Sequence, residues 1–115
     1  MQIQRWLSAE SEQMNPLVQR QVIHGANMTM ARLVMKKGAV VPLHHHVNEQ
    51  ITTVLEGRLT FLIGGGTQEV VAGESLVIPP SVPHAVEAME DSVAMDVFSP
   101  LREDWLRGDD AYLRK

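Results

Sequence analysis

The chain contains no cysteine, which excludes disulfides and thiolate metal sites and leaves His, Asp, Glu, Asn and Gln as the side chains able to hold a transition metal. It also has no apolar run near the roughly 20 residues that a membrane-spanning helix needs. Its first residues, MQIQRWLSAESEQ, lack the basic region followed by an apolar one that marks a secretory leader. A soluble, cytoplasmic chain with no membrane partner is the expectation. Lys and Arg number 10 against 14 Asp and Glu, for a formal net charge of -4, and they are scattered rather than gathered into a phosphate-neutralising stripe. That excludes nucleic acid as an expected partner. No linker, repeat or low-complexity tract divides the 115 residues, so residues 1–115 are expected to form one domain.

What is present is the punctuation of an all-β protein. Short runs rich in Val, Ile, Thr, Leu and Met recur between Gly, Pro and Asn signals. They predict strands at Val18–His24, Met28–Met35, Gln50–Leu55, Arg58–Ile63, Gln68–Val71, Ser75–Ile78, His84–Ala88 and Ser92–Phe98. Glu56-Gly57 and Gly64-Gly65-Gly66 suit tight hairpins, because Gly accepts positive φ without a Cβ clash. Helix is expected only at the two ends, most clearly near the C-terminus, where Ser99 offers an N-cap, Pro100 stands at the first helical position, and LREDWLRG follows. Eight short strands should close on one another as a sandwich or small barrel, wide enough inside for one small ligand.

Within this pattern the segment GAVVPLHHHVNEQITTVLEG places three consecutive histidines in an apolar, β-rich setting. In a strand, side chains alternate faces, so His44 and His46 point one way and His45 the other. An unbroken strand gives Gln50 the parity of His44 and His46 and turns Glu49 away. A bulge after His46 reverses that assignment. A fourth candidate is His84, approached through Pro79, Pro80 and Pro83. Three imidazoles and one amide oxygen make an uncharged ligand set for a divalent transition metal. On spacing alone, a polar rim of incidental histidines stays open as the other reading. His24 and His45 read as solvent-facing or supporting residues.

Near the C-terminus, in SVAMDVFSPLRED, alternation puts Ala94, Asp96 and Phe98 on one face. An aspartate among apolar neighbours needs a partner or a role, since an unpaired buried carboxylate is costly. Arg102 could reach the barrel mouth and clamp a carboxylate bidentately, or simply pair with Asp96. Spacing leaves both readings open.

These segments resemble the paired motifs of the cupin superfamily, small antiparallel, jelly-roll-like β-barrels with an internal metal site. Gly38, His44, His46, Gln50 and Gly57 match the spacing G-x5-H-x-H-x3-E-x6-G, and Gly73, Pro79 and His84 match G-x5-P-x-G-x2-H. Gln50 stands at the usual glutamate position, Ser81 replaces a turn glycine, and Ala88 an asparagine. The resemblance implies a small antiparallel β-barrel with a short C-terminal helix and one divalent metal (Zn, Ni, Mn, Fe or Co) held by His44, His46, Gln50 and His84. Without a carboxylate ligand the metal keeps its full charge, which favours Lewis-acid chemistry over redox iron.

Asp96, Phe98 and Arg102 complete a likeness to the pectin-degradation cupins that linearise 4,5-unsaturated uronates, in which an Asp-x-Phe-x3-Arg segment lines the cavity. That likeness implies an isomerase-type enzyme with a small carbohydrate substrate, Asp96 and Arg102 in catalytic roles, and Phe98 with Arg102 in substrate binding. It equally implies a homodimer, to which the N-terminal segment with Trp6 could contribute. A metal-dependent dioxygenase on the same barrel and a non-catalytic sugar sensor are the competing expectations.

Overall fold

The structure, a computed structural model, describes residues 1–115. It contains ten strands: β1 Glu12–Asn15, β2 Val18–His24, β3 Thr29–Met35, β4 Val40–His44, β5 Glu49–Glu56, β6 Arg58–Ile63, β7 Gly66–Val71, β8 Ser75–Ile78, β9 His84–Ala88 and β10 Ser92–Ser99. A short helix, α1 Glu103–Leu106, and a 3₁₀ turn, Ala111–Leu113, follow. One sheet runs in the order β1-β2-β3-β10-β5-β8, the other β4-β9-β6-β7, and every pairing is antiparallel. No helix is long and apolar enough to cross a membrane.

Period-two alternation explains the two-sheet packing. Ala31, Leu33 and Met35 of β3 and Ala94 and Phe98 of β10 face inward from the larger sheet, and meet Val41, Leu59, Phe61 and Ala88 from the smaller one. Burying each large apolar side chain here contributes about 1.5–3 kcal/mol. All the expected strands are present, and those at Val18–His24, Arg58–Ile63, Ser75–Ile78 and His84–Ala88 have the expected bounds.

Three expectations are corrected. Two strands, β1 and β4, lie outside the sequence prediction. In β4 a proline and a burial pattern without clean alternation hide the period. Second, Glu56-Gly57 is no hairpin, because β5 and β6 belong to different sheets. Gly57 instead carries the chain between them at φ 86°, where a Cβ would collide with Ser92 Oγ and the Asp91 carbonyl. By contrast, Gly64 and Gly65, at φ 59° and 77°, do form the two-residue turn between β6 and β7. Third, the N-terminal end forms turns rather than a helix, and Ser99 ends β10 and caps nothing; α1 begins beyond Arg102, which has no side-chain capping bond.

The chain end folds back on the sheets. Asn15 Nδ2 donates to the carbonyls of Leu113 at 3.1 Å and Lys115 at 3.2 Å. Buried Asp110 meets Arg20 at 2.9 Å, and Arg114 at 3.0 Å on its other oxygen.

Candidate metal centre

His44 ends β4 and His84 begins β9, directly opposite each other in the antiparallel ladder. His46 lies in the connection to β5, outside any strand. His44 and His46 do converge as expected, but a sheet-to-sheet crossing, rather than one continuous strand, brings them together. Gln50 comes from β5 in the facing sheet and points inward, whereas Glu49 is exposed. The structure thus brings Gln50, not Glu49, to the cluster. His45 is exposed, and His24 lies elsewhere, its Nδ1 2.8 Å from Thr29 Oγ1.

One ring nitrogen from each of His44, His46 and His84 falls within 4.8 Å of the others. Each Nδ1 faces a nearby carbonyl: Pro42 at 2.7 Å for His44, Asn48 at 3.0 Å for His46 and Val82 at 2.9 Å for His84. A carbonyl accepts only, so each Nδ1 carries the proton and each Nε2 presents a lone pair. Burial keeps the rings uncharged. It pushes His44 and His46 down to about 4 and lowers His84 as well, with the Arg102 charge adding to the effect.

Two features fit a cation. His84 Nε2 is buried and has no hydrogen-bond partner. His46, with a single proton when neutral, has carbonyl oxygens on both nitrogens: Asn48 O on Nδ1, and Gln50 Oε1 at 3.0 Å from Nε2. With Nδ1 protonated, the second contact sets lone pair against lone pair. A positive ion between Nε2 and Oε1 resolves that repulsion.

The loop that seats His46 is held by a strained residue. Ser81 has φ 64°, the left-handed conformation of the glycine it replaces, and its N–H donates to His46 O at 2.8 Å.

Asp96 sits on β10 directly opposite Thr52 of β5. Thr52 Oγ1 donates to Asp96 Oδ1 at 2.6 Å and accepts from Gln50 Nε2 at 2.8 Å. Burial pushes the Asp96 carboxyl up to about 6, against the opposing effects of the Thr52 hydrogen bond and Arg102. Of the two sequence readings of Arg102, the pairing with Asp96 does not form. Its guanidinium forks onto Asp104, at 2.9 and 2.8 Å, and donates to Tyr112 Oη at 2.7 Å; it makes no ion pair with Asp96. Phe98 is buried with Arg102 over its ring at 4.6 Å.

Residues from both sheets and the chain end enclose a cavity of about 40 Å³, which His44, Gln50, His84, Asp96, Arg102 and Tyr112 line. Tyr112, absent from the sequence reading, stacks on His44 at 4.5 Å between ring centroids. No local signal marks it, since its place depends on the return of the chain end. Thr52 does carry a signal, for it shares the strand parity of Gln50.

The pectin degradation protein KdgF of Dickeya dadantii is 29% identical over 98 residues, which span 83% of this chain and 89% of that protein. The solved structure of KdgF from Halomonas sp. matches with a TM-score of 0.82 at 27% identity, covering 88% of this chain and 96% of that one. An RmlC-like cupin from Shewanella frigidimarina matches with a TM-score of 0.85 at 26% identity, covering 91% and 96%. A cupin-domain family model matches residues 31–99. That stretch carries His44, His46, Gln50 and His84 together with Asp96, and the chain belongs to the cupin family.

Proposed function

We propose that this cupin converts 4,5-unsaturated monouronates, derived from pectin or alginate, to linear 4-deoxy-5-ketouronates. The observation that carries the reading is the convergence of three uncharged imidazoles, two of which line a cavity that also holds the Asp96 carboxyl. Likeness to two KdgF proteins, one named for pectin degradation, supports the substrate class.

A divalent transition metal held by His44, His46, His84 and Gln50 would supply Lewis acidity toward substrate oxygens. The protein's own groups do the rest. As a carboxylate, Asp96 accepts the proton of the anomeric hydroxyl. The C1–O5 bond then breaks, leaving an aldehyde at C1 and an enolate at C5. Asp96 returns the proton to C4, and the enolate becomes a ketone, so the reaction is an isomerisation with no net proton change. A carboxyl raised to about 6 serves both steps near neutrality. Arg102 has Nε and Nη2 engaged by Asp104 and Tyr112, which leaves Nη1 for the substrate carboxylate. Phe98 keeps that guanidinium in place and excludes water.

Ligand sites for molecules of this size measure about 300–1,000 Å³, so a cavity of about 40 Å³ must enlarge to admit a uronate.

The test is to mix purified, metal-loaded protein with freshly lyase-generated unsaturated monouronate and follow loss of the ring enol-ether absorbance. Acceleration over buffer, with no oxygen uptake, is expected. Oxygen consumption in proportion to product would make the protein a dioxygenase, and ligand-induced stabilisation without turnover would make it a sensor.

A further inference from the structure

A side-chain amide has two unlike ends, and Gln50 can offer the imidazoles either. Its oxygen is a metal ligand. Its NH₂ would instead donate to the His46 Nε2 lone pair, satisfy that nitrogen and close the site to a cation. With no metal bound, the second arrangement is the better one for His46, whose Nε2 otherwise faces the Gln50 oxygen at 3.0 Å.

Something must hold the amide the other way. We infer that Thr52 is a positioning residue that fixes the polarity of the Gln50 side chain, keeping its carbonyl oxygen toward the imidazoles. The constraint begins at Asp96. An ionised carboxylate accepts only, so the 2.6 Å contact from Thr52 Oγ1 uses the single hydroxyl proton. Thr52 Oγ1 is then limited to accepting at its 2.8 Å contact with Gln50, which must present NH₂ there. Reversing the amide would press two oxygens together with no proton between them. Gln50, Thr52 and Asp96 are all buried, so water cannot relieve the mismatch. The register makes the arrangement rigid: Gln50 and Thr52 share the inward face of β5, and Asp96 is the cross-strand partner of Thr52. The polarity of the chain His46–Gln50–Thr52–Asp96 is thus set at the carboxylate end and read at the imidazole end.

The inference deepens the proposed function and rests on its metal site, but its test does not need the uronate reaction. Apoprotein is titrated with Co(II) against a chromophoric chelator. Thr52→Val keeps the shape and removes the hydroxyl, and is expected to weaken Co(II) binding by about 10- to 100-fold. Thr52→Ser restores the hydroxyl and should return the affinity to within about threefold of wild type. The decisive arm is Gln50→Glu, whose carboxylate has no donor end and hence no polarity to fix. In that background Thr52→Val should change Co(II) affinity by less than about threefold, a non-additivity that general loosening of the fold would not produce.

Equal losses from Thr52→Val in the wild-type and Gln50→Glu backgrounds, no loss at Thr52→Val, or no rescue by serine would each overturn the inference. So would a wild-type protein that binds no Co(II). A wild-type protein that binds Co(II) and leaves the uronate untouched overturns the proposed reaction alone, and the affinity coupling still decides the role of Thr52.

Discussion

Two buried polar regions meet across the edge-to-face pair Phe98–Trp105, and they are built on opposite plans. On the His46 side, the imidazoles, Gln50 and Thr52 are uncharged, their lone pairs converge, and His84 Nε2 has no partner. On the Trp105 side, Arg20, Asp110, Glu12 and Arg114 oppose charge with charge at 2.9 to 3.4 Å. Arg20 Nε and Nη1 also lack hydrogen bonds, but the guanidinium lies 4.5 Å over the Trp105 ring, which takes up its charge. The charged region pairs its charges within the chain and staples the returning C-terminus to β1 and β2. The imidazole cluster leaves a buried lone pair, on His84 Nε2, without a hydrogen bond. The difference separates a structural network from a site: both are costly to bury, and only the first balances charge against charge, while the second converges lone pairs on one point.

Substitutions in the two regions should accordingly fail in different measurements. Asp96→Asn is expected to lower the rate of uronate conversion by about 10²- to 10⁴-fold even with the metal site saturated by Co(II). Its thermal stability should equal or exceed that of wild type, because a carboxyl that burial raises to about 6 is a cost to the fold at neutral pH. Asp110→Ala should do the reverse. Removing one partner of a buried pair costs about 3–5 kcal/mol, to be read as a lowered urea midpoint, with Co(II) affinity kept in the folded fraction. Loss of metal binding without loss of stability in that variant would erase the distinction.

Acidification sharpens the contrast. The imidazoles of His44, His46 and His84 have folded values below 6.5, so their contribution to stability is present above pH 6.5 and is lost as pH falls below it, toward 4 for His44 and His46. Asp96, raised from 3.8 to about 6, acts oppositely: its contribution is present below pH 3.8 and lost as pH rises through 6. With three groups against one, metal-free protein should show a falling urea midpoint between pH 6.5 and 4. His84→Phe should flatten that fall. The smallest effect is expected at Ser81→Gly, which relieves a left-handed φ and should stabilise by up to about 1 kcal/mol, seen as a rise of a few degrees in Tm.

Much of the site is legible because its residues recur at fixed intervals. Asp96 and Phe98 follow strict alternation along β10, and the burial pattern repeats it. Parity favours Gln50 over Glu49, although no continuous strand connects it with His46. Arg102 escapes such reading for a different reason. Its partners, Asp104 and Tyr112, depend on where a short helix and a 3₁₀ turn settle, and neither has a period to read.

Strand alternation and the Gly, Pro and His spacing determined the all-β class and the residues that face inward, since both follow from local backbone geometry acting over a few residues. Only the tertiary structure decided that His46 reaches the cluster through a loop, that Arg102 is already engaged, and that Tyr112 roofs the cavity. Those outcomes depend on which distant segments come into contact, and the pairing of charge and the filling of space that choose among them are not encoded in any one stretch of chain.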